Sequence, residues 1–210
     1  MEDITRTQYT GLNLNRLETL TDGIFAIAMT ILVLAIDLPE TSVSMTGEVL
    51  HKAILAQSGQ LMAYGTSFLL LALFWTINHK QSGYLAKTNS IHIWINIFML
   101  IFICLVPYTT SLKSDFISDW MANLYFNINM LIIALLYYIN WSYASKNNRL
   151  TTKNLPAISI RRGKVASLIF IIIGILSCLA SFIIPENSSY LYLLIPLLKF
   201  IERKIDRKKS

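Results

Sequence analysis

The sequence predicts an all-α integral membrane protein with six transmembrane helices per subunit and both termini on the cytoplasmic side. Three observations carry that prediction. Hydrophobic residues make up 54% of the 210-residue chain and charged residues only 14%, well below the roughly 25% charged fraction of soluble domains. The apolar residues gather into runs long enough to span the bilayer, because about 20 residues rising 1.5 Å each cross its roughly 30 Å hydrocarbon layer. Finally, the basic residues distribute unequally between the loops that join those runs, as an oriented membrane protein requires.

The runs are 17–38, 55–78, 91–112, 120–143, 165–184 and 188–205. The first starts too late, is too long and has too many acidic residues ahead of it for a cleavable leader, so it reads as a retained span. Asn15 followed by Glu18 has the pattern of a capping box, which would start that helix near Arg16. Pro107 sits inside the third run, where a kink is expected. The last run is short and interrupted by Pro196, and length alone would also allow an interfacial segment. Charge decides in favour of a crossing. With the N-terminus inside and six crossings, all of the eighteen Lys and Arg except Lys52 and Lys113 face the cytoplasm. Without the sixth crossing, the basic end of the chain would lie outside, against the bias of every other loop. The organisation is thus one membrane domain, 1–205, followed by a basic tail, 206–210.

The formal charge of +6 follows from this topology, since the 145–164 loop and the tail face an anionic leaflet; no nucleic-acid partner is implied. Trp75, Trp94 and Trp141 fall near cytoplasmic ends and Trp120 near an outer one, as an aromatic belt would place them. Cys104 and Cys178 both lie inside apolar runs and read as packing residues, with no ligand set for a metal and no cofactor motif nearby. No H-E-x-x-H or G-x-S-x-G pattern is present, so an enzyme is not expected.

Asp22 is the residue that demands an explanation. It lies about one and a half turns into the first span, where an unpaired carboxylate is disfavoured by up to about 3 kcal/mol near the bilayer centre. Arg16 is six residues earlier and about 120° away around the helix, so the partner must come from another helix, a neighbouring subunit or water. The cytoplasmic end of the second span supplies candidates in "FWTINHK": Trp75, Asn78 and His79. A plainer reading is that Arg16 snorkels, Asp22 is hydrated and His79 is interfacial.

The segment "RLETLTD" resembles the R-x-x-x-F-S-D signature that opens the first helix in the lysosomal potassium channel family and its prokaryotic relatives, with Leu20 in place of Phe and Thr21 in place of Ser. "GIFAIAMTILVLAIDLP", "FWTINHK" and "LIFICLVPYTTSL" continue the likeness through the third span. The resemblance implies a homotetramer of six-span subunits in a prokaryotic inner (plasma) membrane, conducting K⁺ and other monovalent cations. In that family the first helix lines the pore and apolar side chains form the constriction, which agrees with the lack of a TVGYG filter here. Carried onto this sequence, the constriction falls on Ile27, Ile31 and Leu34 with Thr30 beside them, and Arg16, Asp22, Trp75, Asn78 and His79 form a structural polar cluster. At 100° per residue the three apolar positions make one stripe about 10 Å long. Periodicity alone does not choose that face, because Phe25, Met29, Leu32 and Ile36 are equally apolar. The alternative function is a proton-coupled secondary transporter using Asp22 and His79 as proton-carrying groups, against which stands the lack of a visible inverted repeat.

Overall fold

The computed structural model describes residues 14–37, 47–153 and 155–196. Seven α-helices are present among them: α1 (Leu14–Ile31), α2 (Gly47–Ala56), α3 (Ser58–Ser82), α4 (Ser90–Cys104), α5 (Val106–Asp115), α6 (Trp120–Ser145) and α7 (Ala157–Ser181). Five stretches are long and apolar enough to cross a membrane: Leu14–Leu34, Ser58–Ser82, Ser90–Asp115, Trp120–Asn148 and Ala157–Ser181. They match the first five predicted spans. Of the sixth, Pro185–Leu193 is a 3₁₀ helix that leads into a helical turn, and 197–205 lies outside the described residues, as does the 206–210 tail.

Three boundaries differ from expectation. Leu14 is already helical, which puts Asn15 inside the first turn rather than at its cap. The 39–54 connection, read as a loop, contains α2, whose side chains are exposed or half-buried, with none in the core. The last long helix begins at Ala157, directly after Pro156, so Arg161, Arg162 and Lys164 ride on helix rather than loop. Proline restrains the residue before it and is well tolerated at a helix start, whereas hydropathy registers only the apolar part of the same helix.

α6 is the central post, packing against α4, α5 and α7. Phe126, Met130, Ile133, Ala134 and Tyr137 put its inner face into a core shared with Leu70, Leu71 and Phe74 of α3 and Phe170 of α7. Phe74 stacks on Tyr137 at 5.5 Å between ring centroids and meets Phe170 at 4.5 Å, the offset and tilted arrangements that aromatic quadrupoles favour. Near the start of α7 the helices approach so closely that a Cβ on Gly163 would overlap the Trp141 indole. Trp141 is 1% exposed and donates from Nε1 to the Ile160 carbonyl at 3.0 Å. It therefore joins two helices and takes no part in a lipid-facing belt, unlike Trp94 and Trp120, which are exposed.

The third span breaks at Leu105, between α4 and α5. Pro107 cannot donate to Ile103, and its ring crowds that carbonyl. One residue back, the Phe102 carbonyl accepts instead from Asn129 Nδ2 on α6 at 3.1 Å. A neighbouring helix thereby stabilises the irregular backbone, as a proline inside a membrane needs.

The loops sort into two ends. Leu85 and Thr151 pair as an isolated antiparallel bridge, flanked by Ala86 N to Leu150 O at 2.9 Å and Thr152 N to Tyr84 O at 3.0 Å. This fastens the α3–α4 connection to the α6–α7 connection. At the opposite end Ser118 donates to Glu186 at 2.6 Å, tying the α5–α6 turn to the segment after α7. The α3–α4 and α6–α7 connections thus share one end of the bundle, and the α5–α6 turn and the segment after α7 share the other.

Candidate functional site

α1 separates into two faces. Leu17, Thr21, Phe25, Ala28 and, beyond its end, Leu32 recur every three or four residues and are buried, the spacing of one helical stripe. Met29 is half-buried and packs against the core. On the other side Ile27, Ile31 and Leu34 are 59%, 43% and 77% exposed, and Thr30 is exposed with them. The structure thus resolves what periodicity leaves open: Phe25, Met29 and Leu32 serve the subunit's own core, and the Ile27 stripe is directed away from it.

The stripe is also straighter than an ideal α-helix would make it. Leu32–Ala35 is a 3₁₀ turn, in which residues three apart eclipse one another and rise about 2 Å each. Leu34 consequently stands almost directly beyond Ile31, and the stripe lengthens to about 12 Å. The Thr30 hydroxyl donates to the Ile27 carbonyl at 2.8 Å, a back-bond within its own helix. Its proton is committed there, which leaves oxygen lone pairs to face outward.

The carboxylate of Asp22 has a partner. Trp75 Nε1 of α3 donates to Asp22 Oδ1 at 2.8 Å, and the His79 ring, one turn further along α3, stacks on Trp75 at 5.4 Å with 20° between planes. Asp22, Trp75 and His79 are therefore one cluster on the exposed side of the α1–α3 junction. Asn78 does not join it. At 7% exposure it is turned to the interior, where it lines a small cavity with Gln81, His92 and Asn140. Arg16 is exposed and lies in an open groove along α1 with Thr19, Leu20, Gly23 and Ile27. Lys52 pairs with Glu48 at 3.0 Å, whereas among the described residues no ion pair joins Arg16 to Asp22 within the chain.

The interior cavity was not anticipated from the sequence. Asn96 Nδ2 donates to the His92 carbonyl at 2.7 Å and to Asn140 Oδ1 at 3.3 Å, while the His92 ring meets Thr88 Oγ1 at 2.9 Å. His92 and Asn96 are one helical turn apart inside an apolar run, the one sequence signal that they share a buried polar face.

A bundle of long apolar helices, with core-facing and core-averted apolar stripes on the first of them and a carboxylate held at the junction of the first two spans, has the features of a multi-span membrane protein. The model of the endosomal/lysosomal potassium channel TMEM175 family matches residues 16–107, from Arg16 through the Pro107 break. A potassium channel of Chamaesiphon minutus is 30% identical over 139 residues, covering 64% of this chain and 68% of that protein. One from a Chryseobacterium species is 28% identical over 191 residues, 90% of this chain and 93% of its own. The crystal structure of a lysosomal potassium-selective channel TMEM175 homolog from Chamaesiphon minutus superposes with a TM-score of 0.77 at 21% identity, over 89% of this chain and 96% of that one, which establishes the fold. The chain belongs to the TMEM175 family.

Proposed function

We propose that this protein is a potassium-permeable cation channel of a prokaryotic inner membrane, built as a homotetramer of six-span subunits whose α1 helices surround the pore. The observation that carries the reading is the exposure of Ile27, Ile31 and Leu34 on a helix whose other apolar face is fully used by its own subunit. Family membership supports the transport of K⁺, and the bias of Lys and Arg between the loops supports cytoplasmic placement of both termini.

Ring geometry is compatible with four copies. Helices packed about 9 Å apart around a four-fold axis would stand about 6.4 Å from it, and a helix with its side chains has a radius of about 5–6 Å. Little more than a dehydrated ion would pass. Five copies would leave about 2 Å of free radius on the same estimate. Rings of Ile27, Ile31 and Leu34 would then be stacked apolar constrictions that discriminate through hydration.

Arg16, Asp22, Trp75 and His79 are assigned to holding α1 in place, with Arg16 meeting a neighbouring subunit. A carboxylate already bonded to an indole N–H suits a fixed strut better than a proton carrier, so the transporter reading gains no support. The test is reconstitution into planar bilayers. Currents should reverse on the potassium side of zero under a K⁺/Na⁺ gradient, whereas flux that saturates and requires a proton gradient would refute channel conduction.

A further inference from the structure

We propose that a single internal water molecule is bound behind α1, with the Gln81 carboxamide as its anchor. Gln81 is 6% exposed, and both its Oε1 and its Nε2 are buried with no hydrogen-bond partner among the described residues. It lines a cavity of about 10 Å³, the space of one water. Glu18 and Thr21 of α1 close one side, Asn78 the α3 side, and Asn96 the α4 side.

An amide orphaned at both ends is disfavoured in a low-dielectric interior, and few species satisfy donor and acceptor together. A monovalent cation would serve Oε1 but face the two N–H groups of Nε2. An anion would reverse the mismatch and lie beside the Glu18 carboxylate. Water accepts from Nε2 and donates to Oε1 or to Glu18, and its usual partners number about two to four. The neighbouring amide is not free to compete, because Asn96 Nδ2 is directed at the His92 carbonyl and at Asn140. The site lies on the core side of α1, against the Leu17–Thr21 turn and opposite the Ile27 stripe. Its water is a hydrogen-bonded spacer between the first helix and the body of the subunit. The inference does not depend on the conduction reading, since it concerns packing within one subunit.

The test uses the full-length protein in lipid nanodiscs, comparing wild type with Gln81→Met in potassium, sodium and N-methylglucamine chloride. A hydrated site predicts that Gln81→Met lowers Tm by about 2–6 °C, because the substitution strands a water that has lost its anchor. A high-resolution map of the wild type should show one solvent peak about 2.7–3.2 Å from the Gln81 amide atoms. A rise in Tm, or an empty site in the wild-type map, would mean a dry cavity and overturn the proposal. So would a wild-type Tm that rises in potassium over N-methylglucamine and loses that dependence in Gln81→Met, since that outcome identifies a cation.

Discussion

The side chain of Ile27 has no atom able to replace a water on an ion, so if it lines the pore as proposed, discrimination at such a ring rests on how readily each ion deforms its hydration shell. Potassium holds water less tightly than sodium, which favours potassium modestly. Ile27→Asn should raise sodium permeability, seen as a shift of the reversal potential toward zero under a K⁺/Na⁺ gradient. Thr30 differs, because its hydroxyl proton is given to the Ile27 carbonyl and only lone pairs remain for an ion. Thr30→Val should therefore weaken discrimination without closing the pore; unchanged reversal potentials in both variants would move the filter elsewhere. Lys113 presents another residue-scale question. It is 3% exposed, its Nζ has no hydrogen-bond partner among the described residues, and it stands 4.7 Å from the centre of the Phe126 ring. Cation–π attraction offsets part of the desolvation of such a charge, by about 2 kcal/mol when buried. Lys113→Met, which keeps the stem and removes the charge, should leave thermal stability unchanged or raised, and Lys113→Ala should lower it by leaving a void.

Helix pairing is where the sequence speaks least directly. Hydropathy placed the first five spans, and Pro107 marked the break that divides α4 from α5, because both signals are local. The sequence could not reveal which apolar face of α1 enters the core: Phe25 and Ile27 are both strongly apolar, and only packing against α3 and α4 tells them apart. Nor could it assign Asn78, which stands beside His79 in sequence but about 100° from it around α3, and so lines the interior in place of the Asp22 cluster. Trp75 was legible because a carboxylate inside an apolar span needs a donor at its own depth. Gly163 shows how tightly such an unreadable contact is built. Alanine there would gain about 1 kcal/mol of helix propensity, yet its methyl group would collide with the Trp141 indole and displace the bond to Ile160, with overpacking of about 1–3 kcal/mol and a lost hydrogen bond of about 1 kcal/mol. Gly163→Ala should therefore lower Tm in detergent. Gly65→Ala, where an added Cβ meets nothing within 4 Å, should not.

At the scale of the whole molecule, the placement of the chain's end follows from how the two sets of loops are tied. The Ser118–Glu186 bond holds the segment after α7 at the same end as the α5–α6 turn, the end opposite the Leu85–Thr151 bridge. Ser188, Ser189 and Tyr192 are buried there, and Ser188 and Ser189 both engage the Asn127 side chain on α6, so the start of the last apolar run is itself anchored to the bundle. From that end two courses are open. If the run crosses, Arg203, Lys204, Arg207, Lys208 and Lys209 reach the side that already holds Lys146, Arg149 and Lys153; if it does not, they remain opposite. The bias that keeps basic residues near span ends on the cytoplasmic side favours crossing, and attraction of each Lys or Arg to an anionic leaflet adds about 1 kcal/mol. A fluorescent protein fused after Ser210 should therefore mature and fluoresce in intact cells, and alkaline phosphatase fused at the same point should be inactive. Fusions after Asn187 should give the reverse pair of results. An active phosphatase after Ser210 would leave five crossings and place the two termini on opposite sides of the membrane.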